Sequence, residues 1–348
     1  MVMGIIRDGG KPREGSDRGI PPFKKRRVGH PAGNGFVRTL VVGAGAIGGY
    51  FGGRLLEINR EVTFLVRAKR AAELSSQGLT IRSRFGDVSF SKPATVLAEK
   101  LRETFDLVLL SCKAYDLDGA ITSFAPAVAP STVILPLLNG MRHLDMLDEH
   151  FGRDRVLGGQ CLIAVAIKDG EIAHLNDTHE LSFGERDGAL SDRVQAITGL
   201  MEGARFNARA STKIVQEMWE KWVFLASLAG STCLIRATIG DICASPGGTD
   251  FILGLLEECS SIAATEGHPV REAQLNRTRN MLTATGAALT ASMLRDIERN
   301  APIEADHIIG DLLGRAGASS HGKLSLLSIA YTHLKAYEAR RRRTPQAG

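Results

Sequence analysis

The segment GAGAIG at residues 43–48 constrains the fold of this chain more than any other feature. It matches G-x-G-x-x-G, follows an apolar run at 39–42 and opens a segment with helical periodicity, which is the context of a dinucleotide-binding βαβ unit. Gly43 permits a tight turn, Gly45 lets the backbone approach a pyrophosphate, and Gly48 lets the helix pack on the strand. The helix N-terminus offers free N–H groups to phosphates. The predicted cofactor contacts here are Gly43, Ala44, Gly45, Ala46, Ile47 and Gly48.

Strand and helix signals alternate after this motif. Apolar runs predict further buried strands at 62–66, 106–110 and 132–135. Strands that alternate with helices are typical of a parallel sheet covered by helices on both faces. The segments 79–90 and 160–184 predict hairpins, and nearly everything after Ser211 predicts helix. The fold class that follows is α/β, with an N-terminal Rossmann-type doubly wound parallel sheet and an all-helical C-terminal domain.

Three regions are expected along the chain. Residues 1–36 are rich in Gly, Pro and Arg without periodicity, which predicts a disordered basic tail. Within it, the run KKRR at 24–27 permits interpretation as a nuclear-localisation-like patch, although a solvated tail is favoured. Residues 37–207 are predicted to form an NADP-binding Rossmann domain and residues 208–340 a helical substrate domain. Breaks between helices are expected at Pro246, Pro302 and near Gly317.

Composition excludes several classes of protein. The formal net charge of +5 comes from the two ends of the chain, whereas a nucleic-acid binder carries clustered basic charge on its folded surface. No apolar run is long enough to span a bilayer, and the first residues lack an apolar secretory core. The five cysteines are scattered without a CxxC pair, and the nine histidines lack metal-ligand spacing. We therefore expect a cytoplasmic protein with reduced thiols that binds no metal, membrane or nucleic acid.

The end of the second predicted strand indicates which nicotinamide cofactor is used. An NAD-binding enzyme usually carries Asp or Glu about 20 residues after the glycine motif, where it holds the ribose 2′-hydroxyl. This chain has Arg67 instead, and a guanidinium can bind a 2′-phosphate through paired hydrogen bonds. The following Lys69 and Arg70 are interpreted as a solvated basic start of the next helix. The sequence therefore favours NADP(H).

Several short segments in a fixed order resemble the ketopantoate reductase (2-dehydropantoate 2-reductase) family. The resemblance extends from about Arg38 to about Tyr337. Besides the glycine motif it rests on LVR at 65–67, SCKA at 111–114, LNGM at 138–141, WEK at 219–221, SMLRD at 292–296 and IE at 303–304. It implies a Rossmann domain, a helical domain, an active site in the cleft between them, and reduction of 2-dehydropantoate by NADPH.

The resemblance also implies roles for individual residues. Lys221 is similar to the family's general acid, and Glu304 to the residue that holds a substrate hydroxyl. Asn139 resembles the asparagine that bridges nicotinamide and substrate, Ser292 the contact of the substrate carboxylate, and Lys113 the lysine of the cofactor cleft. From the residues alone, other interpretations remain. Lys221 can be a surface lysine packed on tryptophan. Glu304 can be a helix-capping carboxylate after Pro302, and Asn139 with Gly140 can be a simple turn.

Two positions depart from the family pattern. The family usually carries asparagines four and eight residues after the catalytic lysine, and this chain has Leu225 and Ala229. Positions i, i+4 and i+8 share one face of a helix, so both changes are expected in the substrate cleft beside Lys221. Loss of two amide partners favours a less selective site for a polar substrate.

The glycine motif and Arg67 predict an NADP(H)-binding protein. The resemblance implies NADPH-dependent reduction of a 2-oxo acid, with 2-dehydropantoate to pantoate in pantothenate biosynthesis as the leading reaction. Leu225 and Ala229 support an alternative, which is a related reductase of another carbonyl or imine substrate. A non-catalytic NADP(H)-binding sensor is the second alternative, and retention of Lys221 and Glu304 argues against it. The expected partner is the small-molecule substrate. The oligomeric state stays open, with a homodimer as one alternative.

Overall fold

The computed structural model describes residues 37–316 and 324–343. The predicted tail and the predicted break near Gly317 lie outside these residues. The strands are β1 (Thr39–Val42), β2 (Val62–Leu65), β3 (Leu79–Arg82), β4 (Val88–Phe90), β5 (Thr95–Val96), β6 (Phe105–Leu110), β7 (Val128–Pro136), β8 (Gly158–Lys168), β9 (Glu171–Gly184) and β10 (Asn207–Ala210). The helices are α1 (Ala46–Glu57), α2 (Ala68–Gln77), α3 (Leu117–Phe124), α4 (Arg142–Phe151), α5 (Asp192–Met201), α6 (Ile214–Ile235), α7 (Ile239–Ala244), α8 (Gly248–Thr265), α9 (Glu272–Leu282), α10 (Ser292–Glu298), α11 (Asp311–Arg315) and α12 (Leu326–Arg343).

The N-terminal part contains the predicted parallel sheet, with strand order β5-β2-β1-β6-β7. Alternate residues of β1 face opposite sides. Leu40 and Val42 pack in a core with α3 and α4, whereas Val41 packs with α1 and α2. Because helices cover both faces, the strands are apolar throughout, which explains the continuous hydrophobic runs in the sequence. The doubly wound fold predicted from the sequence is confirmed.

A second sheet lies beside the first and has the order β10-β9-β3-β4, with β8 on β9. Both predicted hairpins are present, since β3 pairs antiparallel with β4 and β8 pairs antiparallel with β9. The sequence did not predict that β9 would join them through parallel pairing with β3 and with β10. These pairings join strands that are distant in the chain, so no local sequence pattern predicts them.

The C-terminal part is helical, as predicted, and is organised around α6. This helix of 22 residues buries side chains on all sides, and such a helix belongs in the interior of a domain. The helices α8, α10 and α12 pack against it. The helices α7 and α8 are separated at Pro246, and a further irregular segment surrounds Pro302.

The change from strands to helices falls between Ala210 and Ile214. The predicted domain boundary at Asn207 stays a prediction. The core that contains Leu40 of β1 continues through the sheet into Trp222 of α6, so one hydrophobic core supports both parts. Among the strands, β8 and β9 of the second sheet make the most extensive contacts with α6.

Candidate active site

A cavity of about 1480 Å³ lies between the carboxyl ends of the parallel strands and the helical part. Ligands of open α/β sheets bind at this edge because the loops that follow the strands diverge there. All the residues singled out in the sequence line this cavity, apart from Gly48. They are Gly43, Ala44, Gly45, Ala46, Ile47, Arg67, Lys113, Asn139, Lys221, Leu225, Ala229, Ser292 and Glu304.

The three motif glycines occupy different environments. Gly43 has φ of +93°, a conformation that side-chain-bearing residues rarely adopt. A Cβ at Gly48 would collide with the carbonyl oxygen of Gly43 and with Oγ of Ser111, so this glycine allows α1 to approach β1 and β6. A Cβ at Gly45 would meet nothing within 4 Å, because the space above it is open cavity.

The start of α1 suits a dinucleotide. The helix has neither a capping side chain nor an acidic residue in its first turn, so its first N–H groups face the cavity without a competing carboxylate. Backbone N–H groups and the positive end of a helix dipole stabilise phosphate anions. The open space at Gly45 lies at the same place. The geometry of residues 43–48 therefore fits a pyrophosphate, as the sequence predicts.

The end of the cavity expected to bind adenosine contains an ion pair, Arg67 with Asp116, that was not predicted from the sequence. The guanidinium of Arg67 donates a hydrogen bond to Oδ1 of Asp116 at 2.7 Å. Asp116 follows β6, whereas Arg67 follows β2, and the two strand ends flank β1. Arg67 is thus present where the sequence placed it, but a carboxylate is present as well. The only local signal for Asp116 was its position just after the strand-end Lys113.

Arg70 is less exposed to solvent than its sequence context predicted. We expected a solvated residue, but only 17% of the Arg70 side chain is exposed. Its Nε donates to the carbonyl oxygen of Ala44 at 3.0 Å, and it also pairs with Glu73 at 3.0 Å. Because its side chain folds back over the glycine turn, Arg70 braces that turn from the cavity side. The neighbouring Lys69 is exposed, as expected.

Lys221 lies on α6 with its ammonium directed into the cavity. Its Nζ donates to the carbonyl oxygen of Cys161 on β8 at 2.8 Å. Desolvation by the surrounding protein lowers the pKa of Lys221. A lysine with a lowered pKa releases its proton more readily, which suits a general acid. The alternative of a surface lysine packed on tryptophan does not match this geometry.

Glu304 lies just before the helical segment that starts at Ala305, rather than within a first helical turn. Its carboxylate does not cap that helix. Oε1 accepts the backbone N–H of Ala114 at 3.0 Å, and Oε2 lies 3.1 Å from Nζ of Lys113. Lys113 also reaches Asp296 at 3.4 Å. Instead of capping a helix, the Glu304 carboxylate connects the helical part to the loop after β6.

Charge pairing affects Lys113. Burial lowers its pKa, but the carboxylates of Glu304 and Asp296 more than compensate, so the pKa of Lys113 is raised. Lys113 is therefore a fixed cation. Within the described residues, Lys221 forms no ion pair with Glu304, although both line the cavity. The space that separates them is where a small polar molecule can contact both.

The remaining predicted substrate contacts share this part of the cavity. Asn139 lies in a turn after β7, where Gly140 has φ of +78°. The chain bends here, as the turn alternative expects, and Asn139 also lines the cavity. Ser292 is exposed at the start of α10. In the described part of the chain, neither side chain has a hydrogen-bond partner, so both are available to a ligand.

The apolar positions on α6 lie where the helical spacing placed them. Lys221, Leu225 and Ala229 all line the cavity, together with Phe224 and Leu228. The part of α6 that follows Lys221 therefore presents an apolar wall to the cavity, whereas Glu217 and Glu220 line the cavity from the part before it. A substituent that contacts the apolar wall gains from burial but finds no amide partner on this helix.

Two further findings concern the described part of the molecule as a whole. In residues 37–316 and 324–343, no helix combines the length and apolarity needed to cross a membrane. In the same residues, no group of three or more His, Cys, Asp or Glu side chains is arranged to hold a metal ion.

Comparison with known proteins places this geometry in context. The family described as "Ketopantoate reductase PanE/ApbA" matches residues 39–188, and its C-terminal counterpart matches residues 213–338. A Bacillus subtilis (strain 168) protein, "Uncharacterized oxidoreductase YkpB", is 37% identical over 304 residues, covering 87% of this chain and 99% of the relative.

Solved structures agree in fold. The 2-dehydropantoate 2-reductase from Methylococcus capsulatus is similar with a TM-score of 0.76 at 27% identity, covering 89% of this chain and all of that one. D-mandelate dehydrogenase in a ternary structure with NADH and anilino(oxo)acetate also has a TM-score of 0.76, at 18% identity, covering 87% and 99%. Both family profiles match in order, and together they span the parallel sheet and the helices that enclose the cavity. The chain is therefore an oxidoreductase that belongs to the ketopantoate reductase family.

Proposed function

We propose that this protein reduces a 2-oxo acid to the corresponding 2-hydroxy acid with NADPH, and that 2-dehydropantoate is the first substrate to test. One observation carries the proposal. The ammonium of Lys221, held by the carbonyl of Cys161, faces the same cavity as the glycine motif and the carboxylate of Glu304. A proton donor, a nicotinamide-binding motif and a polar anchor are the groups that ketone reduction needs.

The N-terminal part binds the dinucleotide, and the helical part supplies the proton donor. The bound dinucleotide supplies the hydride that reduces the carbonyl carbon. The ammonium has three N–H donors and uses one on Cys161, so two remain for the carbonyl oxygen of a substrate. Lys221 stabilises the negative charge that develops on this oxygen and then donates a proton to it. The product is an alcohol, and the lysine regains its proton from solvent.

Other residues orient the substrate. Ser292 and Asn139 have unpaired polar groups that face the cavity and suit a carboxylate and a carbonyl oxygen. Glu304, fixed by Lys113 and by the N–H of Ala114, accepts a hydrogen bond from a substrate hydroxyl. Its rigid position favours one orientation of the substrate, which is how a preorganised site lowers the barrier.

A second candidate substrate class is favoured by Leu225 and Ala229. Their place beside Lys221 suits 2-oxo acids with an apolar substituent, because such a substituent needs no amide partners. The D-mandelate dehydrogenase structure holds an aryl 2-oxo acid analogue on the same fold. A cytoplasmic location stays a prediction of the sequence, and a homodimer stays one alternative for the oligomeric state.

The test is NADPH oxidation, followed by absorbance, with 2-dehydropantoate and a panel of branched and aryl 2-oxo acids, ketones and imines. The highest kcat/KM for 2-dehydropantoate supports the leading function, and the highest value for an aryl or branched acid supports the second candidate. Binding of NADPH without turnover of any compound would contradict both and favour a non-catalytic sensor.

A further inference from the structure

The ion pair of Arg67 and Asp116 lies at the end of the cavity expected to receive the adenosine half of the cofactor. The ribose 2′ position of a dinucleotide lies at the end of the second strand of a Rossmann unit, and Arg67 follows that strand here. Asp116 reaches the same point from the loop after β6. A cation and an anion therefore meet where NADP(H) and NAD(H) differ.

The cavity walls nearest this pair are formed by segments that neighbour the two strand ends. They come from the segment after β5 and from α3, which contributes small side chains. Gly119 of α3 has no atom within 4 Å of the place where its Cβ would lie. The lining residues of this end are Leu97, Ala98, Glu99, Gly119, Ala120 and Ser123.

The pair can open when a ligand arrives. The side chain of Arg67 is 78% exposed and that of Asp116 is 33% exposed. Ion pairs in contact with solvent contribute little stability, so a competing ligand displaces them easily. Arg67 has five N–H donors, and one hydrogen bond to Asp116 leaves others for a phosphate.

The two members of the pair favour different cofactors. A guanidinium binds a 2′-phosphate. A carboxylate repels that phosphate, but it accepts a hydrogen bond from a free 2′-hydroxyl. Two other charged groups lie at this end of the cavity. Arg70 already donates hydrogen bonds to the carbonyl oxygen of Ala44 and to the carboxylate of Glu73. Glu99 adds a second negative charge.

We propose that Asp116 is a specificity-determining residue that narrows the preference for NADPH: its carboxylate binds the 2′-hydroxyl of NADH and opposes the 2′-phosphate of NADPH beside Arg67. This inference rests on the proposed function only in that the cavity binds a nicotinamide dinucleotide. The chain then binds both dinucleotides, and the two charges set the ratio of their affinities.

The test measures dissociation constants of NADPH and NADH for the parent and for Asp116→Asn, by the change in dinucleotide fluorescence on binding. Asp116 is the residue before α3 but makes no capping bond with its side chain, so the variant keeps the helix start. We expect NADPH to bind more tightly and NADH more weakly, with a shift of the affinity ratio of roughly 10- to 100-fold.

Asp118→Asn is the matched control. It removes the same charge two residues further along, in the first turn of α3, but Asp118 is exposed and does not line the cavity. An equal shift in this control would overturn the inference, because the effect would then be one of net charge. In an Arg67→Ala background, Asp116→Asn should still weaken NADH, since the contact with the hydroxyl is direct.

The outcomes separate the inference from the proposed function. If the parent and Asp116→Asn bind both dinucleotides with the same affinity ratio, the inference is wrong while the proposed function stands. If the parent binds neither dinucleotide, the proposed function fails and the inference fails with it.

Discussion

Nζ of Lys113 lies 3.1 Å from Oε2 of Glu304, although the two residues are 191 positions apart in the chain. Lys113 follows a strand of the parallel sheet, and Glu304 precedes a helical segment of the C-terminal part. The second carboxylate oxygen accepts the N–H of Ala114, so both oxygens of Glu304 are held by the loop after β6. These two contacts hold the Glu304 carboxylate in one orientation at the wall of the cavity.

The first prediction concerns Glu304. Replacing it with Gln keeps an oxygen for the N–H of Ala114 but removes the charge that pairs with Lys113. We expect KM to rise and kcat to fall together, with a loss in kcat/KM of about 10- to 100-fold for one charged hydrogen bond. Steady-state kinetics on the best substrate measures both. A change in kcat with unaltered KM would contradict a role in substrate binding.

The second prediction concerns Lys221. Lys221→Met should lower kcat by about 10²- to 10⁴-fold, because general acid catalysis is lost, whereas the dissociation constant of NADPH should change little. Lys213→Met is the control, since this lysine is exposed before α6. Wild-type turnover of Lys221→Met would show that another group donates the proton.

The same substitution should change stability with pH. Burial lowers the pKa of Lys221 in the folded state, so folding disfavours its charged form. The unfavourable contribution is complete below the folded-state pKa and disappears above the ordinary lysine value of about 10.4. Lys221→Met should therefore raise the free energy of unfolding at neutral pH, and its advantage should shrink as the pH rises through that interval. Denaturant unfolding at several pH values measures this.

The third prediction concerns the apolar wall of α6. Leu225→Asn with Ala229→Asn should raise kcat/KM for 2-dehydropantoate and lower it for aryl or branched 2-oxo acids. Amide groups can pair with a polar substrate and lose contact with an apolar one. A uniform loss on all substrates, with an unchanged melting temperature, would mean that these positions do not select the substrate.

The fourth prediction separates two glycines of the same motif. Gly45→Ala should leave the stability of the free protein nearly unchanged, since its Cβ would enter open space and its φ of −78° suits alanine. The same Cβ should weaken NADPH binding by roughly 5- to 150-fold, the effect of about 1–3 kcal/mol of overpacking.

Gly48→Ala should behave in the opposite way, because its Cβ collides with Gly43 and Ser111 in the free protein. We expect a loss of about 1–3 kcal/mol of folding stability or more. Thermal unfolding and NADPH titration of both variants check the contrast. Equal destabilisation by the two substitutions would contradict the assignment of Gly45 to the ligand side.

The fifth prediction concerns His143 on α4. It is fully buried, and neither ring nitrogen has a hydrogen-bond partner in the described part of the chain. Burial, with the nearby His307, Lys221 and Arg186, lowers its pKa to about 3. His143 is therefore neutral in the folded state, while the unfolded chain takes up a proton below pH of about 6.5. Its contribution to stability is complete above that value and is lost as the pH falls toward 3.

Between pH 7 and pH 5, this single proton should cost about 2 kcal/mol of folding free energy. The free energy of unfolding of His143→Leu should therefore fall by about 2 kcal/mol less than that of the parent over the same pH interval. Denaturant unfolding at both pH values measures this difference. His150→Gln on the same helix is the control, because His150 is exposed. Equal acid sensitivity of the parent and His143→Leu would show that His143 is not the group that titrates.

Much of the fold could be predicted because its signals are local. A glycine motif between a strand and a helix, apolar runs buried on both faces, and hairpin and helix patterns each depend on neighbouring residues. The family resemblance added Lys221 and Glu304, which spacing alone did not single out. Residues 221, 225 and 229 were placed on one face by helical geometry, and all three line the cavity.

Tertiary structure decided what those residues contact. Asp116 meets Arg67 only because the ends of β6 and β2 flank β1, and the joining of the two hairpins through β9 has the same non-local origin. Arg70, a solvated residue by its sequence context, folds back onto the glycine turn. The sequence by itself determined the elements and the motif, since these follow from periodicity and local sterics. The charges that surround each functional group were decided by contacts between distant segments, which only the packed chain brings together.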